Sequence, residues 1–204
     1  MNTPRIKICG LMTEDDVYAC NEYRPEYVGF MFYEKSRRYI TPETASRFRE
    51  ILDPSIRVVG VFVDAPASDV AKIANLGIID IVQLHGNESD RYIEQLKGMI
   101  RLPVFKAISV RDRDSIRQAN MSSADMILVD SGTGGTGTVF NWELLKDINR
   151  DYFLAGGLSP DNVREALKLG PYALDVSSGV ETGGKKDKDK IAAFIKRSRG
   201  IKEK

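Results

Sequence analysis

Met126-Ile-Leu-Val-Asp130 runs straight into Ser131-Gly-Thr-Gly-Gly-Thr-Gly137, and the reading of this stretch decides the fold. The short apolar run reads as a buried strand, with the Asp130 carboxylate at its end. Behind it comes a loop with four glycines, whose bare backbone lets a ligand approach closely. Taken literally, Gly132-x-Gly134-x-x-Gly137 is a dinucleotide fingerprint. That fingerprint must open a helix at once, inside the first βαβ unit, with an acid about 20 residues on for the ribose. Here the helical pattern waits until Trp142, the loop lies past the middle of the chain, and no acid is well placed. A loop closing over a small anionic substrate fits better. A glycine-rich surface loop with no role is the bland alternative.

Outward from this strand one pattern repeats. Apolar, β-branched runs at 5–9, 27–32, 57–63, 81–84, 103–107, 126–129, 152–155 and 173–176 read as strands. Their starts are 21 to 30 residues apart, room for one strand, one helix and two short loops. The helix starts carry their own chemistry. Thr13 precedes three acids, Thr41 precedes Pro42, and Ser159 precedes Pro160 and Asp161, which are N-cap, N1-proline and first-turn signals. Asp64 or Ser68 is expected to cap a helix through Leu76. Further helices are expected over 89–97, from about 112 to 118, from about 142 to 147, and from about 186 to 199. Strands alternating with helices predict an α/β protein with a parallel sheet covered on its outside. Eight near-equal units predict closure into a single-domain (β/α)8 TIM barrel over residues 1–204. An open doubly wound sheet is the alternative.

The composition excludes several classes. With 42% hydrophobic and 29% charged residues, the chain looks like an ordinary globular protein. A net charge of +1 gives no bulk attraction to nucleic acid or to an anionic membrane. No apolar run approaches the ~18 residues of a membrane span. The start, Met1-Asn-Thr-Pro-Arg5, has no signal-peptide core, so a cytoplasmic protein is expected. Cys9 and Cys20 make no disulfide framework, and Cys20 reads as core. With His85 the only histidine, no His/Cys metal site is expected.

In such a barrel the active site lies at the carboxyl ends of the strands. That rule picks out Cys9-Gly10, Tyr33 with the Ser36-Arg-Arg38 loop, His85-Gly86, Asp130 and its loop, Gly156-Gly157 and Ser177-Ser-Gly-Val-Glu181. Phosphate is expected at the loops after strands seven and eight, where Gly156, Gly157 and Gly179 offer backbone N–H groups and Ser177 and Ser178 add hydroxyls. Plain turn chemistry is the alternative. Cys9 and Asp130 come from opposite parts of the ring. A thiolate there takes a proton, and a protonated carboxyl gives one. Singly, a cysteine is as well explained by the core and an aspartate by capping. His85 could touch a ligand or be structural. Arg37 or Arg38 could grip a substrate carboxylate with its two-pronged guanidinium.

With these segments in view, the chain resembles phosphoribosylanthranilate isomerases of tryptophan biosynthesis. The resemblance rests on Lys7-Ile-Cys-Gly10, Gly29-Phe-Met-Phe32, Ser36-Arg-Arg-Tyr39, Val59-Gly-Val-Phe62, Gln83-Leu-His-Gly86, Leu128-Val-Asp130 with Gly134-Gly-Thr-Gly137, Leu154-Ala-Gly-Gly-Leu158 and Asp175-Val-Ser-Ser-Gly-Val-Glu181. These segments cover nearly the whole chain in the family's order. The resemblance implies an Amadori rearrangement of N-(5'-phosphoribosyl)anthranilate without metal or organic cofactor. It implies Asp130 as the general acid, Cys9 as the general base and Arg38 on the anthranilate carboxylate. Gly135, Gly156, Gly157, Ser177 and Ser178 then form the phosphate cradle. Met31 and Arg37 depart from the usual pattern, and Arg37 leaves open which arginine binds the carboxylate.

The related histidine-pathway isomerase resembles a two-aspartate design, against which Cys9 argues. A metal-dependent epimerase would need more histidines than His85. A non-catalytic phosphoribosyl-binding barrel would not need both proton-transfer groups. The expected partner is a small phosphoribosyl substrate. The state is monomer or homodimer, and association with other tryptophan-pathway enzymes is compatible with the sequence.

Overall fold

In the computed structural model, residues 4–130 and 142–201 are described. The glycine loop after Asp130, with the proposed Gly135, lies outside them. Eight parallel strands close into a barrel in sequence order: β1 (Arg5–Cys9), β2 (Tyr27–Met31), β3 (Arg57–Phe62), β4 (Ile81–Leu84), β5 (Val104–Ser109), β6 (Met126–Asp130), β7 (Tyr152–Ala155) and β8 (Ala173–Val176). β8 returns to β1, with Lys7 opposite Asp175. The predicted strands and their order are therefore observed, and the open sheet is excluded by the β1–β8 ladder.

The barrel has two apolar compartments. Outward residues such as Ile6, Ile8, Val28, Phe30, Val58 and Val82 pack under the helices. Inward residues Tyr27, Val59, Val61, Ile81, Phe105, Leu128 and Phe153 fill the lumen. Phe153 meets Tyr27 and Phe105 at ring distances of 5.3 and 5.2 Å, which plugs the lower end. Arg5 lies 4.2 Å from the Tyr172 ring centre and closes this floor with a cation–π contact. Each such aromatic burial is worth roughly 1.5–3 kcal/mol, so the lower lumen is a packed core and the chemistry is confined to the upper end.

The outer helices are α1 (Glu14–Tyr23), α2 (Pro42–Ile51), α3 (Ala67–Asn75), α4 (Asp90–Lys97), α5 (Arg113–Met121), α6 (Val163–Leu167) and α7 (Lys188–Ser198). Thr13 closes a capping box with Asp16 and Thr41 caps α2, as their sequences predict, while Ser89 and Asp112, expected as the first residues of their helices, stand one place before them as N-caps. Three starts differ. Neither Asp64 nor Ser68 caps α3, which begins after Pro66 without a side-chain cap. Asp64 instead accepts the Asn87 N–H at 2.6 Å and ties two mouth loops together. α6 starts later than Ser159-Pro160 suggests, because Asn162 folds back to accept the Ser159 N–H at 2.8 Å. Residues Trp142–Asp147 form a 3-10 helix instead of an α-helix. α7 starts at Lys188 under the Asp187 cap, since β9 (Glu181–Thr182) and β10 (Lys185–Lys186) form a small hairpin before it.

Among the described residues no helix is long and apolar enough to cross a membrane. Cys9 and Cys20 are both free and buried, and Cys20 belongs to the outer core as expected.

Candidate active site

The strand ends converge on a cavity of roughly 400 Å³. Its wall includes Cys9, Arg38, His85, Asp130, Gly156, Gly157, Ser177 and Ser178. Residues picked from six separate places along the chain thus share one space. Strand geometry accounts for this. Arg5, Lys7 and Cys9 alternate with Ile6 and Ile8, so the polar set points into the lumen while the isoleucines meet the helices.

That alternation brings in residues the sequence reading left out. Lys7 is fully buried. Its ammonium donates to Asp175 Oδ2 at 3.0 Å, to Gln83 Oε1 at 2.7 Å and to Cys9 Sγ at 3.5 Å. A buried ammonium without partners would be untenable; here three acceptors surround it. Burial pulls the Lys7 pKa down, but Asp175 and Cys9 outweigh this and leave it above the usual lysine value. Burial pushes the Cys9 thiol up, and the Lys7 ammonium opposes that rise without cancelling it. At rest Cys9 is therefore a thiol beside a fixed cation. The Oδ1 of Asp175 is buried with no hydrogen-bond partner among the described residues, and Asp175 also lines the cavity.

The network continues across the mouth. Gln83 Nε2 lies 2.9 Å from His85 Nδ1, and His85 Nε2 lies 3.4 Å from Asp130 Oδ2. His85 lines the cavity wall with 35% of its side chain exposed. It bridges the Lys7 cluster and Asp130.

Glu181, placed at the mouth by the strand-end rule but given no role there, holds an arginine cluster. Its buried carboxylate accepts Arg38 Nε at 2.7 Å and Arg38 Nη2 at 3.0 Å. Arg37 Nη2 at 2.6 Å and Lys186 Nζ at 2.8 Å complete the cluster. Burial raises the Glu181 pKa, yet the Arg38 and Lys186 contacts dominate and hold it below the usual carboxylate range. The Arg38 guanidinium is gripped by one edge, and its Nη1 meets no acceptor among the described residues. Arg38 lines the cavity, whereas the Arg37 side chain is 58% exposed and is held outside it.

The two proposed phosphate loops meet at the same wall. Gly156 and Gly157 adopt φ values of +89° and +64°, which side chains rarely adopt. Gly179 packs behind the wall: a Cβ there would lie 1.8 Å from the Leu158 carbonyl oxygen. Its absence of a side chain lets the loop after β8 press on the loop after β7. After β8 the chain makes a single 3-10 turn, Ser178–Val180. The Ser177 hydroxyl donates to the Cys9 carbonyl at 3.0 Å, and Lys186 Nζ donates to the Ser177 Oγ at 3.3 Å. In this arrangement the Ser177 proton is already committed, and the donors left at this wall are backbone N–H groups and the Ser178 hydroxyl.

Comparison with known proteins agrees with this geometry. The family model of N-(5'-phosphoribosyl)anthranilate (PRA) isomerase matches residues 6–197. The enzyme of that name from Endomicrobium trichonymphae is 45% identical, covering 97% of this chain and all of the relative. The one from Thermoanaerobacter pseudethanolicus is 42% identical over 97% of this chain and 99% of its own. Among solved structures, the phosphoribosyl anthranilate isomerase of Thermotoga maritima superposes with a TM-score of 0.89 at 39% identity, covering 97% of this chain and 99% of that one. A phosphoribosyl anthranilate isomerase in complex with reduced 1-(o-carboxyphenylamino)-1-deoxyribulose 5-phosphate superposes with a TM-score of 0.86 at 38% identity, with coverage of 97% and 99%. A thiamine phosphate pyrophosphorylase from Pyrococcus furiosus shares the fold alone, at 16% identity and a TM-score of 0.73. From its barrel, its cavity and these full-length matches, the chain belongs to the N-(5'-phosphoribosyl)anthranilate isomerase family.

Proposed function

We propose that this protein isomerises N-(5'-phosphoribosyl)anthranilate to 1-(2-carboxyphenylamino)-1-deoxyribulose 5-phosphate in tryptophan biosynthesis, with Asp130 as general acid and Cys9 as general base. The observation that carries the assignment is that a thiol and a carboxyl from β1 and β6 line one cavity with an arginine and two glycine-bearing loops. The substrate has matching parts. Its phosphate suits the backbone donors of Gly156, Gly157 and Ser178, with Gly135 assigned to the same cradle by resemblance. Its carboxylate suits the outer edge of Arg38, since Glu181 already holds the other edge.

Asp130 donates a proton to the ribose ring oxygen. The C1–O bond breaks as the anilino nitrogen's lone pair forms a C=N bond. Cys9, as thiolate, removes the proton from C2, and those electrons form C1=C2 while the C=N pair returns to nitrogen. The enolamine then loses its hydroxyl proton, gains one at C1, and becomes the ketone. Atoms and electrons balance, since reactant and product are isomers. Lys7 supplies the positive charge beside the thiolate, which forms when the resting thiol gives up its proton to solvent and which this step consumes. Proton transfer by placed groups of this kind contributes about 10²–10⁴-fold each.

The test is the loss of phosphoribosylanthranilate fluorescence with purified protein in EDTA. Turnover to the deoxyribulose phosphate supports the reading. Binding of a product analogue without turnover would replace it with a phosphoribosyl-binding module.

A further inference from the structure

Gln83 joins two clusters, and its two ends are not interchangeable. The Lys7 ammonium has only protons to offer, so the Gln83 atom 2.7 Å from it must be the carbonyl oxygen. The other end is then the NH2 group, a pure donor. It lies 2.9 Å from His85 Nδ1, so that nitrogen must accept. A neutral imidazole with an accepting Nδ1 carries its proton on Nε2, the nitrogen 3.4 Å from Asp130. The direction of every contact from Lys7 to Asp130 follows from the one group that cannot accept.

We propose that Gln83 is a positioning residue that fixes His85 as the neutral Nε2–H tautomer, so that the imidazole presents a donor instead of a cation to Asp130. Two effects compete at this ring. The Asp130 carboxylate favours a second proton on the imidazole. Adding that proton would set an N–H against the Gln83 N–H at 2.9 Å and bring a further positive charge toward Lys7, into a cavity that Arg38 also lines. The donor-to-donor clash acts at contact distance, whereas the Asp130 attraction acts across 3.4 Å between side chains that are 35% and 29% exposed, and we give the clash the larger weight. An imidazolium beside Asp130 would stabilise the ionised carboxylate. A neutral donor lets Asp130 hold the proton it is assigned to give. This functional consequence rests on Asp130 being the acid; the tautomer itself does not.

Because His85 is the only histidine, 15N-histidine labelling reads this ring alone. The nitrogen bearing the proton is identified by its shift and by its coupling to both ring C–H protons. At neutral pH the wild-type protein should show Nε2 protonated and Nδ1 bare. An Nδ1–H tautomer or a doubly protonated ring would overturn the proposal. Gln83→Glu offers an acceptor to Nδ1, so Nδ1 should become protonated, with kcat falling about tenfold or more and KM little changed. Nδ1 remaining bare in that variant would also overturn it. In Asp130→Asn the Nε2–H tautomer should persist, since Gln83 sets it; a switch would assign the control to Asp130 instead. If Asp130→Asn keeps its turnover while the tautomer is as stated, the acid assignment fails and the tautomer assignment stands.

Discussion

Lys7 holds a positive charge inside the barrel with no exposed surface, and its worth lies in what it leaves behind when removed. Lys7→Met keeps most of the volume but strands the buried Asp175 carboxylate. Breaking one side of a buried pair costs about 3–5 kcal/mol, which urea unfolding should show. The same variant removes the charge that opposes the upward push on the Cys9 thiol, so alkylation of Cys9 should slow. Unchanged stability and alkylation would dismiss Lys7 as the counter-charge. At this scale the sequence was half legible. Cys9, Arg38, His85 and Asp130 stand at strand ends, where a barrel puts its chemistry. Lys7, Gln83 and Asp175 stand within strands, where a polar residue ordinarily means a solvent-facing side. In a barrel sheathed by helices the polar face of β1 is the inward one. The usable signal was the alternation of Arg5, Lys7 and Cys9 with Ile6 and Ile8.

The β9–β10 hairpin links the two ends of the cavity. Glu181 begins it and holds Arg38; Lys186 ends it, bonds Glu181 and also donates to the Ser177 carbonyl at 3.1 Å. Glu181→Gln removes the charge that orients Arg38 while Lys186 keeps its Ser177 acceptors. KM for the carboxylate-bearing substrate should rise about tenfold, the scale of one charge-assisted pair, with kcat within about threefold. A steady-state KM equal to wild type would separate Glu181 from substrate binding. Element positions were the most legible part, because eight apolar runs and most helix caps are local signals. The hairpin was not, because its turn is Gly183-Gly184 between lysine-rich and polar residues and it has no apolar alternation. The α3 start misled for a related reason: Asp64 is a good cap by type, yet a tertiary partner, Asn87, claims it.

For the molecule as a whole, closure of the barrel buries groups that resist ionisation. Burial raises both thiols, Cys9 and Cys20, and lifts Tyr27 and Tyr92 to about 12. Lys7 is also raised. A group whose folded pKa is raised contributes stability in full below its unfolded pKa and loses it as pH climbs toward the folded value. Lys186, lowered by burial, opposes the trend. Unfolding free energy should therefore decline as pH rises above 9.0, the ordinary thiol value. Cys20→Ala should flatten that decline by up to about 1.4 kcal/mol per pH unit. A pH-independent stability over this window would contradict the burial account. The fold class was legible from spacing alone, since eight units leave a parallel sheet little choice but to close. The electrostatics of the lumen were not, because they depend on register, such as Lys7 opposite Asp175.

The central claim is that Cys9 and Asp130 divide the proton transfers within one cavity. It is tested most directly by measuring kcat and product-analogue Kd side by side for Cys9→Ser and Asp130→Asn. Each variant should lose about 10²–10⁴-fold in kcat while Kd stays within about threefold of wild type, since the phosphate and carboxylate contacts lie elsewhere. Near-wild-type kcat in either variant would contradict the division of labour.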